Sequence, residues 1–91
     1  MNKLNTSDPS LVRSHQTSQC AFAISRHGAE LHSHEIDDGV VFFILRLPKG
    51  TSFQAIQDDY DSDGFTSARS FSNELSRLKS IVLRSRTGGR L

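Results

Sequence analysis

The side chains best suited to chemistry lie near the end of the chain, on a segment whose apolar residues recur at helical spacing. These apolar residues are Ala68, Phe71, Leu75, Leu78 and Val82, and they predict a helix over residues 67–79. The opposite face carries hydrogen-bonding side chains, with two guanidinium groups and no carboxylate: Arg69, Ser70, Asn73, Ser76, Arg77 and Ser80. Over residues 66–91, six basic residues stand against one acidic residue, a net charge of +5. A basic end of this kind indicates a polyanion or an acidic protein as the binding partner.

Other groups of reactive side chains fit metal or catalytic chemistry poorly. The spaced carboxylates of residues 59–63 match the first half of a calcium-binding loop, but Ser70 stands at its last position, where a bidentate Glu is needed. Cys20 and the three histidines of residues 27–34 follow no established zinc-site spacing. The chain has no Gly-rich phosphate loop and no nucleophile motif. We therefore expect a protein that is not an enzyme and that needs no metal or cofactor.

Length and composition limit the class of protein to which the chain can belong. The 91 residues are 35% apolar and 23% charged, which suits a single domain. The longest apolar run, residues 40–45, has six residues, whereas a membrane span needs roughly 20. Residues 1–19 are polar and show no periodicity, so we expect a disordered tail before one domain over residues 20–91. With no secretory signal and Cys20 as the single cysteine, we expect a cytoplasmic protein that does not contact membranes.

Three further elements are expected around the predicted helix. Phe22 and Ile24 lie two residues apart, the period of a strand with one buried face, so residues 20–31 are expected to form a small hairpin. A capped helix is expected over residues 51–60. A short basic β-hairpin is expected over residues 80–91, where apolar and polar side chains alternate before a Gly-Gly turn.

Residues 34–47 fit two different structures. The β-branched and aromatic run favours a strand that follows a turn at residues 37–39. The apolar residues also fall on one helical face, at Ile36, Val40, Phe43, Ile44 and Leu47. We assign the segment to a helix, although Gly39 inside it costs about 1 kcal/mol relative to Ala. The whole then predicts an α+β domain with an N-terminal hairpin, three helices and a C-terminal β-hairpin.

This order of elements resembles a winged helix-turn-helix, in which the closing hairpin is the wing. More specifically, residues 27–91 resemble the C-terminal DNA-binding output domain of OmpR/PhoB-type response regulators and of related bacterial activators. The resemblance rests on residues 60–69 and on two short motifs, Leu75-Ser76-Arg77-Leu78-Lys79 and Arg84-Ser85-Arg86-Thr87-Gly88-Gly89-Arg90-Leu91. Pro48-Lys49-Gly50 also stands where that family has a Pro-Gly pair after its first helix.

The resemblance implies sequence-specific binding of double-stranded DNA by a transcription regulator, as a dimer or beside a partner. The helix over residues 67–79 would then read the major groove through Arg69, Asn73 and Arg77. Contacts to phosphates are expected from the remaining polar and basic side chains: Ser70, Ser76, Arg84, Arg86 and Arg90. The acidic turn at residues 58–63 corresponds to a loop that can contact RNA polymerase in the family.

A second function remains open. The middle of the chain, residues 29–65, has eight acidic against two basic residues, a net charge of −6. The wing motif also ends at Leu91, before a full second strand. Both observations favour a protein-interaction module, an adaptor or inhibitor built on a winged-helix-like core that does not bind DNA.

Overall fold

The computed structural model describes residues 10–62, 64 and 66–88, with the backbone alone for 86–88. Within these residues the chain forms three strands and three helices: β1 (Leu11–Ser14), α1 (Thr17–His27), β2 (Glu30–Asp37), β3 (Val40–Arg46), α2 (Phe53–Asp61) and α3 (Ala68–Gly88). The strands make one antiparallel sheet in the order β1-β3-β2. The α+β class expected from the sequence is therefore confirmed. None of the helices in the described ranges is long and apolar enough to cross a membrane.

Residues 34–47 form most of a β-hairpin, so the helix assigned to them is wrong. The end of β2 pairs with the start of β3, with Asp37 opposite Val40. The two residues between them, Asp38 and Gly39, have φ angles of 54° and 79°. Positive φ at both central residues is the geometry that joins twisted antiparallel strands through a two-residue loop, and Asp-Gly is a favoured pair for it. Turn geometry and β propensity therefore override the helical spacing of the apolar residues.

Part of the expected tail belongs to the fold. β1 pairs with the far end of β3, with Leu11 opposite Arg46 and Ser14 opposite Phe43. Residues 17–19 then form the first turn of α1. A strand of four residues is too short to show a clear alternation of apolar and polar side chains in the sequence. Its backbone hydrogen bonds also depend on a partner that is distant in sequence. Residues 1–9, the rest of the expected tail, lie outside the described residues.

The hairpin expected over residues 20–31 is wrong, because residues 20–27 lie within α1 and only residues 30 and 31 belong to a strand, β2. Four consecutive residues, from Cys20 to Ala23, are buried. The small side chains of the two alanines allow the helix to pack closely against its neighbours. The helix ends at Gly28, whose φ of 76° is left-handed, and the N–H of Ala29 donates to the carbonyl of Ala23. This is the usual glycine termination of a helix, and β2 follows it directly.

All three helices cover one face of the sheet. Val41, Phe43 and Leu45 alternate along β3 and are buried in a single cluster with Ile56 of α2 and Leu78 of α3. Alternation along a strand puts every second residue on the same side, so the core lies between the sheet and the helical layer.

The opposite face of the sheet is covered by side chains. The Arg13 guanidinium lies 3.7 Å from the ring centroid of Phe42 and pairs with Glu35 at 2.5 Å and Asp37 at 2.9 Å. Ile44, also outside the helical core, is buried on this face. A single side chain from β1 thus links all three strands across the outer surface.

The helices expected at 51–60 and 67–79 are both confirmed, and the second is longer than expected. Ser52 caps α2 by accepting from the N–H of Ala55, and Ser67 accepts from the N–H of Ser70 at the start of α3. The expected β-hairpin over residues 80–91 is wrong for residues 80–88, which lie in α3. Ile81 is buried one turn after Leu78, so the apolar helical spacing continues past residue 79. Residues 89–91 lie outside the described residues.

Candidate nucleic-acid interface

The polar side chains singled out in the sequence share one exposed side of α3. Of the residues predicted to bind DNA, five are exposed: Arg69, Asn73, Ser76, Arg77 and Arg84. At 100° of rotation per residue, these positions fall within about 100° of arc on the helix. The opposite side of α3 packs into the core through Phe71, Leu75, Leu78 and Ile81. A helix held by one side therefore presents a polar, basic strip on the other.

The remaining predicted residues stand apart from this strip. Ser70 is half-buried, and its backbone N–H donates to the Ser67 hydroxyl at 3.2 Å. Arg86 lies in α3, but its side chain is outside the described residues, as is the whole of Arg90. Arg84, Arg86 and Arg90 were all expected on a wing, and for Arg84 and Arg86 that placement is wrong, because the helix continues through both.

The strip carries net positive charge. Glu74, half-buried at its border, pairs with Arg77: its Oε1 accepts from Nη2 at 2.7 Å and from Nε at 3.0 Å. The ion pairs among the described residues include neither Arg69 nor Arg84. Exposed ion pairs contribute little to stability, so Arg77 can exchange Glu74 for another anion at small cost. The strip therefore offers guanidinium groups to an incoming polyanion.

A joint between the helices fixes where α3 begins. The Oδ2 atom of Asp59 accepts from Arg26 Nε at 2.6 Å and lies 2.7 Å from His27 Nε2, which ties the end of α1 to α2. The hydrogen bond from Arg26, and then that from His27, lowers the pKa of the Asp59 carboxyl below its ordinary value. The hydroxyls of Thr66 and Ser25 lie 3.1 Å apart, which joins the segment before α3 to α1.

Gly64 allows this joint to close. Its N–H donates to the carbonyl of Asp59 at 2.8 Å. A Cβ at residue 64 would lie 2.6 Å from Cγ of Asp59, inside van der Waals contact. The sequence predicted an acidic turn over residues 58–63 and half of a calcium loop, and neither interpretation includes the partners of Asp59 on α1. The signal it could have used is the pair of basic residues, Arg26 and His27, in the last turn before a helix-ending Gly.

An open cavity lies beside this joint, with a volume of about 500 Å³. Its lining is aromatic and polar: Phe22, Tyr60, Asp61, Gly64, Thr66 and Phe71. No group of three His, Cys, Asp or Glu side chains that could hold a metal occurs within the described part of the chain. Burial raises the pKa of the Cys20 thiol to about 11, and a protonated thiol is a poor metal ligand and nucleophile.

No family model, curated protein or solved structure matches this chain. Function is therefore inferred from the geometry of α3 and from the physical chemistry of its exposed side chains.

Proposed function

We propose that this protein binds double-stranded DNA by placing the exposed side of α3 in the major groove. The single observation that supports the proposal is that Arg69, Asn73, Arg77 and Arg84 are all exposed on one side of a 21-residue helix. In this proposal the chain keeps the DNA-reading helix of a winged-helix regulator. The basic groups expected on a wing are supplied instead by the end of the same helix.

The spacing of these side chains suits a groove. Residues 69 and 84 are separated by about 22 Å along the helix axis, at 1.5 Å per residue. The major groove of B-DNA admits an α-helix, and there Arg can bond guanine and Asn can bond adenine through two atoms each. Each such pair contributes roughly 1–3 kcal/mol of discrimination between bases. We therefore assign base contacts to Arg69, Asn73 and Arg77, and a phosphate contact to Arg84.

Binding of labelled duplexes, followed by fluorescence anisotropy over a range of salt concentrations, tests the proposal. Affinity should fall steeply with salt, and Arg84→Ala should reduce the slope of log K against log salt by about 0.9. Arg77→Ala should instead relax the preference between sequences. Lys49→Ala, in the turn between β3 and α2, is the matched control and should leave binding unchanged. No binding at about 50 mM salt would exclude the proposal.

One observation favours the alternative, a protein-interaction module. Three large apolar side chains are exposed among the described residues, at Ile36, Val40 and Leu83. Large exposed apolar side chains suit protein interfaces better than DNA interfaces, which are polar and positively charged. Purification from a native extract distinguishes the two functions, because a stoichiometric protein partner without enriched DNA would support the alternative.

A further inference from the structure

The guanidinium group of Arg77 is held along one edge by a neighbouring carboxylate. Oε1 of Glu74 accepts from Nε and from Nη2 of Arg77, at 3.0 Å and 2.7 Å. These two nitrogens form the side edge of the planar guanidinium, which carries five N–H donors in all. No hydrogen bond or ion pair among the described residues uses Nη1 of Arg77. The end edge, formed by Nη1 and the second N–H of Nη2, is therefore open to a ligand.

The two side chains differ in their exposure to solvent. The Arg77 side chain is 51% exposed, whereas that of Glu74 is 27% exposed. At 100° of rotation per residue, Glu74 lies about 60° around α3 from Arg77, and Asn73 lies about 40° away in the other direction. Arg77 thus stands between the border of the strip, where Glu74 is half-buried, and the exposed Asn73 within the strip.

The carboxylate of Glu74 affects which ligand suits Arg77. The ion pair has no net charge, and the carboxylate repels a phosphate that approaches the guanidinium. A phosphate must therefore displace Glu74 to gain the full attraction of Arg77. Guanine instead presents two neutral acceptors in the major groove, O6 and N7, and Arg can donate to both at once. The end edge of Arg77 has the two N–H groups for this contact, so guanine need not displace Glu74.

We propose that Glu74 is a positioning residue that directs Arg77 to a guanine, a role that rests on the proposed binding of α3 in the major groove. Glu74 holds the guanidinium by its side edge, and the end edge donates to O6 and N7 of the base. The long side chain of Arg77 then loses less conformational freedom on binding, because the carboxylate already restricts it. The preferred duplexes therefore contain a G·C pair in contact with Arg77.

Selection of bound duplexes from a random library, followed by sequencing, identifies the base pairs that the unmodified protein prefers. The position that loses its preference in Arg77→Ala is the one that Arg77 reads, and it should hold guanine. Fluorescence anisotropy then compares the preferred duplex with a second duplex in which this G·C pair is replaced by A·T. The affinity of the unmodified protein should be roughly 5- to 150-fold lower for the second duplex, as expected for the loss of one bidentate contact to a base.

Substitutions of Glu74 separate positioning from charge. In Glu74→Ala the side edge of Arg77 is free to contact a phosphate. The ratio of the two affinities should then fall toward 1, while the slope of log K against log salt should steepen by about 0.9, the contribution of one phosphate contact. Glu74→Gln retains an oxygen that accepts from Arg77, so it should keep more of the preference. Glu30→Gln, at an exposed residue of β2, removes the same charge and is the matched control, which should change neither quantity.

Three results would overturn the inference. The first is that Arg77 reads no base or a base other than guanine. The second is a preference for that guanine that Glu74→Ala leaves intact. The third is an equal loss of preference in Glu74→Ala and Glu74→Gln, which would show that charge alone matters. Circular dichroism checks that each variant is folded. Failure of the proposed function is distinguishable, because the unmodified protein would then bind no duplex at about 50 mM salt, and both proposals would be wrong.

Discussion

Replacing Gly64 by Ala tests whether the joint around Asp59 holds the helices together. The added methyl would lie 2.6 Å from Cγ and 2.9 Å from the carbonyl oxygen of Asp59, whereas ordinary contact begins at 3.4 Å. Oδ1 of Asp59 would lie closer still, so the side chain must recede by more than about 0.8 Å, and its 2.6 Å and 2.7 Å contacts with Arg26 and His27 then reach or pass the limit of hydrogen bonding. The carbonyl oxygen cannot rotate away, so the backbone between α2 and α3 must also shift.

Forcing extra atoms into a packed site typically costs about 1–3 kcal/mol. For a domain of this size, each kcal/mol shifts the melting temperature by about 4–8 °C. We expect Gly64→Ala to lower the melting temperature by about 4–8 °C for each kcal/mol of stability that is lost. Circular dichroism, which follows helix content, measures the change. Because the joint positions α3, the variant should also weaken DNA binding if the proposed function holds.

A double-mutant cycle identifies the cause. In an Asp59→Ala background the carboxylate that blocks the methyl is gone, so Gly64→Ala should cost clearly less than it does in the unmodified protein. An equal cost in both backgrounds would refute the reasoning, since it would show that the side chain of Asp59 is not what excludes a Cβ at residue 64.

Three further outcomes follow from burial and charge. Leu78→Ala should lower the free energy of unfolding by about 2–5 kcal/mol in urea titrations, because a fully buried side chain is lost. The control Ser80→Ala, at an exposed residue, should change this free energy by less than about 0.5 kcal/mol. The stability contributed by Asp59 is present above pH 3.8, the ordinary pKa of its carboxyl, and is lost as pH falls through its lowered folded-state pKa. The urea midpoints of the unmodified protein and Asp59→Asn should therefore converge in acid, and a constant gap would contradict this. Cys20, with a pKa of about 11, should react with iodoacetamide at about pH 8 only when the protein unfolds, so rapid alkylation of native protein would count against its burial.

Local signals predict the structure correctly at the helix caps. The sequence predicts one cap at Thr51 or Ser52 and another at Thr66 or Ser67, and the structure has Ser52 and Ser67 in these roles. The spacing alone also predicts the polar side of α3. Residues 80–88 were misassigned because the alternation of Ile81, Val82 and Leu83 with later polar residues imitates a strand. Burial distinguishes the two: Ile81 is 8% exposed and Leu83 62% exposed, as on the two sides of a helix.

The other errors have a common physical cause. Short apolar runs such as residues 20–24 and 40–45 fit both the helical and the strand period. Their structure is therefore decided by the elements that pack against them. The helical spacing in residues 34–47 predicts a helix, but the positive φ angles of Asp38 and Gly39 suit a hairpin far better than a helix. The partners of Asp59 lie more than 30 positions earlier in the chain, and the basic pair Arg26 and His27 does not by itself show which acidic residue it meets.

The position of β1 has a consequence for synthesis of the protein. Among the described strands it is made first, yet its only neighbour in the sheet is β3, and Leu11 pairs with Arg46, 35 positions later. Contacts between distant residues form slowly, because a long loop must be closed first. On the ribosome, β2 and β3 can pair across their short turn as soon as they emerge. β1 can join the sheet only after β3 has been made. A nascent chain that stalls before residue 46 therefore lacks part of the strand edge with which β1 pairs.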